Sequence, residues 1–245
     1  MKLSDLEAEF TRLGKSDPFW AVLSNPGTEG GKWDRAEFFR TGETDVQHTL
    51  AELAELGIDV ARGSAMDFGC GVGRLTQPLA REFSEAVGVD IASSMIAIAN
   101  DLSSDLPNCK FVVNTRDDLS QFPAASFDFI YSHIVFQHME PRYSLAYMRE
   151  FGRLLRDEGC TAFQVLVPDG THRLLGWAKR WMPGMLGAIR RMRNHGAPII
   201  ELYGVTHGEV AEALAAGGIE IIATRDDPNG GRGTRGLVIY GRKRS

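Results

Sequence analysis

Three glycines at alternate positions follow a carboxylate at the end of an apolar segment: Asp67-x-Gly69-x-Gly71-x-Gly73, entered through Ala65 and Met66. Such a run lets the backbone turn through positive φ and lie close to a ligand, because no Cβ intervenes. It reads as the joint between a buried strand and a helix at a ligand site. The flanking pattern agrees. Strands are expected at 65–68, 85–90, 110–114, 127–132 and 161–167, with helices at 74–83, 93–102 and 141–155. Ser93 stands at a cap position and Pro141 in a first helical turn. This alternation specifies a parallel sheet with helices on both faces.

The rest of the chain departs from that pattern in two places. Residues 45–57 carry apolar positions at helical spacing, stopped by Gly57. Ahead of them Ser4-x-x-Glu7 forms a capping box, followed by a turn-rich, aromatic stretch with Pro18, Trp20, Pro26, Gly30, Gly31 and Trp33. Two tryptophans are unusual in a disordered tail, so an ordered cap is expected. After the fifth strand, 169–201 interrupts the alternation. It carries Trp177, Trp181 and six basic residues, and no acid lies between Asp169 and Glu201. Thr206-x-x-Glu209 opens a last helix that Gly217 and Gly218 stop, and strands at 219–224 and 236–240 flank a hairpin-like loop at 226–231. Four segments result: a cap at 1–43, a core at 44–168, a basic helical insert at 169–205, and the end of the core at 206–245.

Composition narrows the function. A chain of 245 residues with net charge −5 is long enough for one large core and wrongly charged for a nucleic-acid backbone as main partner. No apolar run approaches 18 residues, the first residues are mixed and charged, and Cys70, Cys109 and Cys160 are too scattered for a disulfide framework or zinc site. A cytoplasmic monomer or homodimer without stable membrane insertion is expected. Ala, Arg and Gly usage hints at a bacterial source.

A nicotinamide dinucleotide site would want G-x-G-x-x-G with an acid about twenty residues on. Asp90 suits the acid, but position 74 is Arg, and a carboxylate at 67 would repel a pyrophosphate. Asp67 suits a ligand bearing an amino group. At this residue the chain resembles the class I S-adenosylmethionine-dependent methyltransferases, whose first motif is similar to 67–73. Val89-Asp90 resembles their ribose-binding acid, Asp117-Asp118-Leu119 the adenine loop, 126–132 the fourth strand, and 153–159 the turn into strand five, with Glu158 where Gly is usual. The resemblance implies an α/β, Rossmann-like, seven-stranded, mostly parallel sheet with an antiparallel last strand, a helical N-terminal cap and a helical insert after strand five. It implies S-adenosyl-L-methionine as cofactor, with Asp67, Gly69, Gly71, Gly73 and Arg74 at its methionine part, Asp90 at the ribose, Asp117 at the adenine, and Ser132 also in contact.

A hydroxyl acceptor needs a general base, and histidine is the natural one. His138, just past strand four, is the first candidate and His133 the second. Trp20, Trp33, His172 and Trp177 are candidates to enclose the acceptor, a small molecule with a hydroxyl, such as a saccharide or natural product. Nitrogen or carbon acceptors, and an inactive binding protein of the same fold, are the alternatives. Tyr131-Ser132-His133 matches neither the DNA amino-methyltransferase motif nor an acidic metal site at that strand end, so neither nucleic acid nor metal is expected.

Overall fold

Strand β1 (Ser64–Phe68) is buried along almost its whole length and lies at the middle of the sheet. It pairs in parallel with β2 (Glu85–Asp90) on one side and β4 (Phe127–Ser132) on the other. Beyond these, β3 (Cys109–Val113) and β5 (Leu155–Pro168) extend the sheet in parallel, and β7 (Thr234–Lys243) runs antiparallel between β5 and β6 (Ile219–Asp227). The order β3-β2-β1-β4-β5-β7-β6 is the mostly parallel seven-stranded sheet expected. The computed structural model describes residues 2–168, 202–228 and 234–244. The insert expected over 169–205 therefore lies almost wholly outside the described residues, with His172 and Trp177.

The chain leaves β1 toward β2 and β3 on one side and resumes at β4 on the other. The reversal falls between β1 and β4, where open α/β sheets bind ligands at the carboxyl ends of their strands. Period 2 along β1 then assigns faces. Met66 and Phe68 enter the core under α6 (Pro141–Leu154) and α7 (His207–Ala216), with Phe136, Tyr147, Phe151 and Phe163. Ala65 enters the opposite core, with Val46, Leu50 and Leu53 of α3 (Arg35–Glu55) and Leu79 of α4 (Thr76–Glu82). Helix α5 (Ser93–Leu102) joins α1 (Leu3–Ser16) and α2 (Pro18–Val22) around a third cluster holding Trp33 and Phe38.

Several local expectations shift. α1 opens at Leu3, where the Asp5 carboxylate accepts from the Lys2 backbone N–H at 3.0 Å, so Ser4 and Glu7 lie inside the helix. α3 begins ten residues before the expected start at 45, because Asp34 caps it by accepting from the Glu37 N–H. It thus runs unbroken through the expected cap boundary at 43. At the other end Thr206 and Glu209 form the expected box at α7. β6 continues to Asp227, which turns two residues read as loop into strand.

Candidate active site

The C-terminal ends of β1, β2 and β4 meet in a cleft. Its floor is the glycine loop. Gly69 and Gly71 have φ of +79° and +53°, and a Cβ there would stand 2.3 Å from Val135 and 2.4 Å from Val22. Both positions therefore require glycine for conformation and for room. One wall is apolar, with Leu6 and Phe10 of α1 and Met95 of α5. The opposite lip is the segment after β4, with His133, Ile134, Val135 and His138. Ile134 has φ of +61°, a costly conformation for a β-branched residue and of the kind that gathers at functional sites.

The two acids of the first motif part company here. Asp90, at the end of β2, lines the cleft, and its two oxygens accept from the Gly71 and Ala92 N–H groups, each at 2.8 Å. Each oxygen keeps a second lone pair. Burial raises its pKa, and the backbone N–H groups oppose that. Asp67 shares the face of Ala65 and points away from the cleft. One oxygen accepts from the Thr76 hydroxyl at 2.6 Å, and the other is buried with no hydrogen-bond partner. Burial pushes this carboxyl up to about 7, against the Thr76 hydrogen bond. A direct contact of Asp67 with a ligand's amino group is not seen; the side chain anchors the loop from beneath.

Other expected ligand contacts are elsewhere. Arg74 is buried, with Nη1 2.6 Å from Asp45 and 3.2 Å from the Thr41 hydroxyl, both on α3. Gly73 (φ +86°) faces Phe111 rather than the cleft. The Ser132 hydroxyl donates to the Phe68 carbonyl at 2.8 Å, tying β4 to β1. Asp117 is exposed outside the cleft lining, whereas Asn114 is inside it and donates to the Asp118 carbonyl at 3.0 Å. Trp33 is a core residue whose indole donates to the Leu23 carbonyl at 2.9 Å, and Trp20 packs on the same cluster with its Nε1 buried and unpartnered.

The two candidate bases differ in surroundings. His133 Nε2 lies 2.9 Å from Asp227, and its Nδ1 lies 3.7 Å from the Asp45 oxygen that binds Arg74. Arg74, Asp45, His133 and Asp227 thus connect the residue after the glycine loop, α3, the cleft lip and the end of β6. His138 has no such partner. Burial pulls it down to about 4, so the ring is neutral. Sequence reasoning missed Asp227, because Asp-Asp-Pro before a glycine pair reads as turn chemistry. It also missed Leu6 and Phe10, whose helical spacing signals only a buried face.

A glycine floor, a carboxylate with lone pairs to spare and an apolar wall suit the ribose and base of an adenosyl group, so the residues present fit S-adenosylmethionine. The comparisons agree. Residues 65–159 match the family model described as a methyltransferase domain. Trans-aconitate 2-methyltransferase of Deinococcus radiodurans is 32% identical over 62% of this chain and 57% of its own length. The chain spans about half the length of the first curated relatives it matches. Among solved structures, magnesium protoporphyrin IX methyltransferase of Synechocystis PCC 6803, with bound S-adenosylhomocysteine, superposes at a TM-score of 0.64 with 17% identity, covering 98% of this chain and 99% of that one. The [4+2]-cyclase SpnF superposes at 0.65 with 16% identity, covering 99% and 96%. The match over 65–159 is to a methyltransferase domain, and the chain has the Rossmann-like fold of these neighbours. Among the described residues no helix is long and apolar enough to cross a membrane, and no cluster of metal-ligating side chains occurs.

Proposed function

We propose that this chain transfers the methyl group of S-adenosylmethionine to an oxygen of a small molecule, a hydroxyl whose proton His133 accepts. The observation that carries the cofactor half is Asp90: a carboxylate at the end of β2, fixed by two backbone N–H groups and facing the cleft. It would accept from the ribose hydroxyls, while Leu6, Phe10 and Met95 exclude water from the adenosyl group. When bound, the cofactor supplies an activated methyl group, so the protein need only align the acceptor and handle its proton. Asp227 favours a proton on His133 Nε2, which leaves Nδ1 to take the acceptor's proton. His138, first choice from sequence, is too weak a base at a pKa of about 4. The hydroxyl acceptor rests on the presence of a partnered imidazole at the cleft lip. A saccharide has no support among the described residues, since neither Trp20 nor Trp33 lines the cleft.

Calorimetric titration with S-adenosylhomocysteine, beside a nicotinamide dinucleotide as control, tests this reading. Micromolar binding of the first alone is expected. Asp90→Ala should weaken it by about 1.5–3 kcal/mol, the worth of hydrogen bonds to a charged group. Equal affinity in that variant would remove Asp90 from the site. The neighbouring cyclase shows why the measurement matters: one fold carries different chemistries.

A further inference from the structure

We propose that Arg74 is a positioning residue for the His133 base: by holding the Asp45 carboxylate, it keeps that charge from fixing a proton on His133 Nδ1. Arg74 follows the glycine loop, and its side chain is buried. Its Nη1 donates to Asp45 Oδ2 at 2.6 Å and to the Thr41 hydroxyl at 3.2 Å. Between those two residues on α3 stands Gly42, where a Cβ would lie 2.0 Å from the Arg74 carbonyl oxygen. With no side chain in the way, the helix touches the loop, and both the main chain and the guanidinium of Arg74 meet the same turn of α3. The Asp45 oxygen that binds Arg74 also lies 3.7 Å from His133 Nδ1. That separation is too long for a hydrogen bond, and Nδ1 has no hydrogen-bond partner. The charged groups about this imidazole, among the described residues, are Asp45 from α3, Asp227 from β6 and Arg74. Tyr131 of β4 stacks on the ring at 6.3 Å, and burial keeps its phenol un-ionised. Two carboxylates without the guanidinium would favour the imidazolium, with a proton on each nitrogen and no lone pair left to take another. The guanidinium offsets one of them. The use of that base on an acceptor rests on the methyltransferase reading; the competition for Asp45 does not.

Imidazole ¹H–¹³C correlation spectra of the full chain, titrated from about pH 4.5 to 9, follow the His133 ring, and His133→Gln identifies its resonance. Arg74→Met keeps the length of the side chain and removes the charge. Its His133 midpoint should rise by about one pH unit, the low end of the effect of a close charge, because Asp45 is partly exposed. Arg74→Lys keeps the charge and should titrate close to wild type. Asp45→Asn should move the midpoint down, since the guanidinium then stands unopposed near the ring. A role confined to packing would not give shifts of opposite sign. An unmoved midpoint in Arg74→Met would overturn the proposal; if that variant does not fold, an unmoved or raised midpoint in Asp45→Asn would do so. With an acceptor in hand, the acidic limb of kcat should follow the same midpoints. Arg74→Met should then turn over about tenfold more slowly below both midpoints and close to the wild-type rate above them. S-adenosylhomocysteine titration of the wild type separates the two ideas. Shifted midpoints without binding defeat the methyltransferase reading alone, and binding with unmoved midpoints defeats this one alone.

Discussion

Two acids and two histidines stand about the glycine loop and the cleft lip, and both pairs split in the same way. Asp90 and His133 face the cleft and are held by several partners: backbone N–H groups for the acid, Asp227 and the Asp45–Arg74 pair for the imidazole. Asp67 and His138 have only neutral hydrogen-bond partners, and burial favours the neutral form of both. Residue type does not decide which member can carry charge. The number of polar groups that replace lost water does. The well-partnered members belong to chemistry and the poorly partnered members to support.

The largest effect should come from His133. His133→Gln keeps a donor toward Asp227, so that buried carboxylate is not stranded. Turnover on whichever acceptor is found should fall about 10²–10⁴-fold, with S-adenosylhomocysteine affinity nearly unchanged. A rate within threefold of wild type would abolish the functional distinction between the two histidines.

The two buried members predict opposite pH slopes of stability. Asp67 has a folded pKa of about 7 against 3.8 unfolded. Between those values the native state holds a proton that the unfolded state has lost, so stability falls as pH rises, by roughly 4 kcal/mol in all. Asp67→Asn should remove that decline, as denaturant unfolding at pH 5 and pH 8 would show. His138 has a folded pKa of about 4 against 6.5. Here the unfolded state holds the extra proton, so stability rises with pH through that window, by roughly 3 kcal/mol. His138→Gln should flatten the rise. If both variants changed the slope in one direction, the symmetry between the pairs would be broken.

Most of the fold could be read from the sequence because periodicity and glycine spacing are local signals. β2, β4 and α5 fall where the pattern put them, as does the antiparallel final pair. What could not be read is which way a strand-end side chain turns. Asp67 and Asp90 look alike in sequence, and only the register of β1 between β2 and β4 sends Asp67 under the loop. Asp227 meets His133 across 94 positions of sequence, a contact made by the placement of β6 and β7 beside β5. Trp33 was read as part of an acceptor-facing cap, but Phe19, Phe38 and the Leu23 carbonyl satisfy it inside the cap itself.

The smallest effect sharpens the comparison most, because it makes Asp67 as poorly partnered as His138. Thr76 is fully buried, and its hydroxyl donates to the Asp67 carboxyl at 2.6 Å. Thr76→Val keeps the shape and removes that donor. At pH 5 Asp67 is protonated, so a neutral hydrogen bond is lost, worth about 0.5–1.5 kcal/mol. At pH 8 the carboxylate is mostly ionised, and the lost bond is charge-assisted, worth about 1.5–3 kcal/mol. The cost of the variant should therefore grow with pH, because the folded pKa of Asp67 climbs further once its donor is gone. Unfolding curves at the two pH values measure that growth. An equal cost at both would mean that the hydroxyl fills space beneath the glycine loop and does not help to carry the charge.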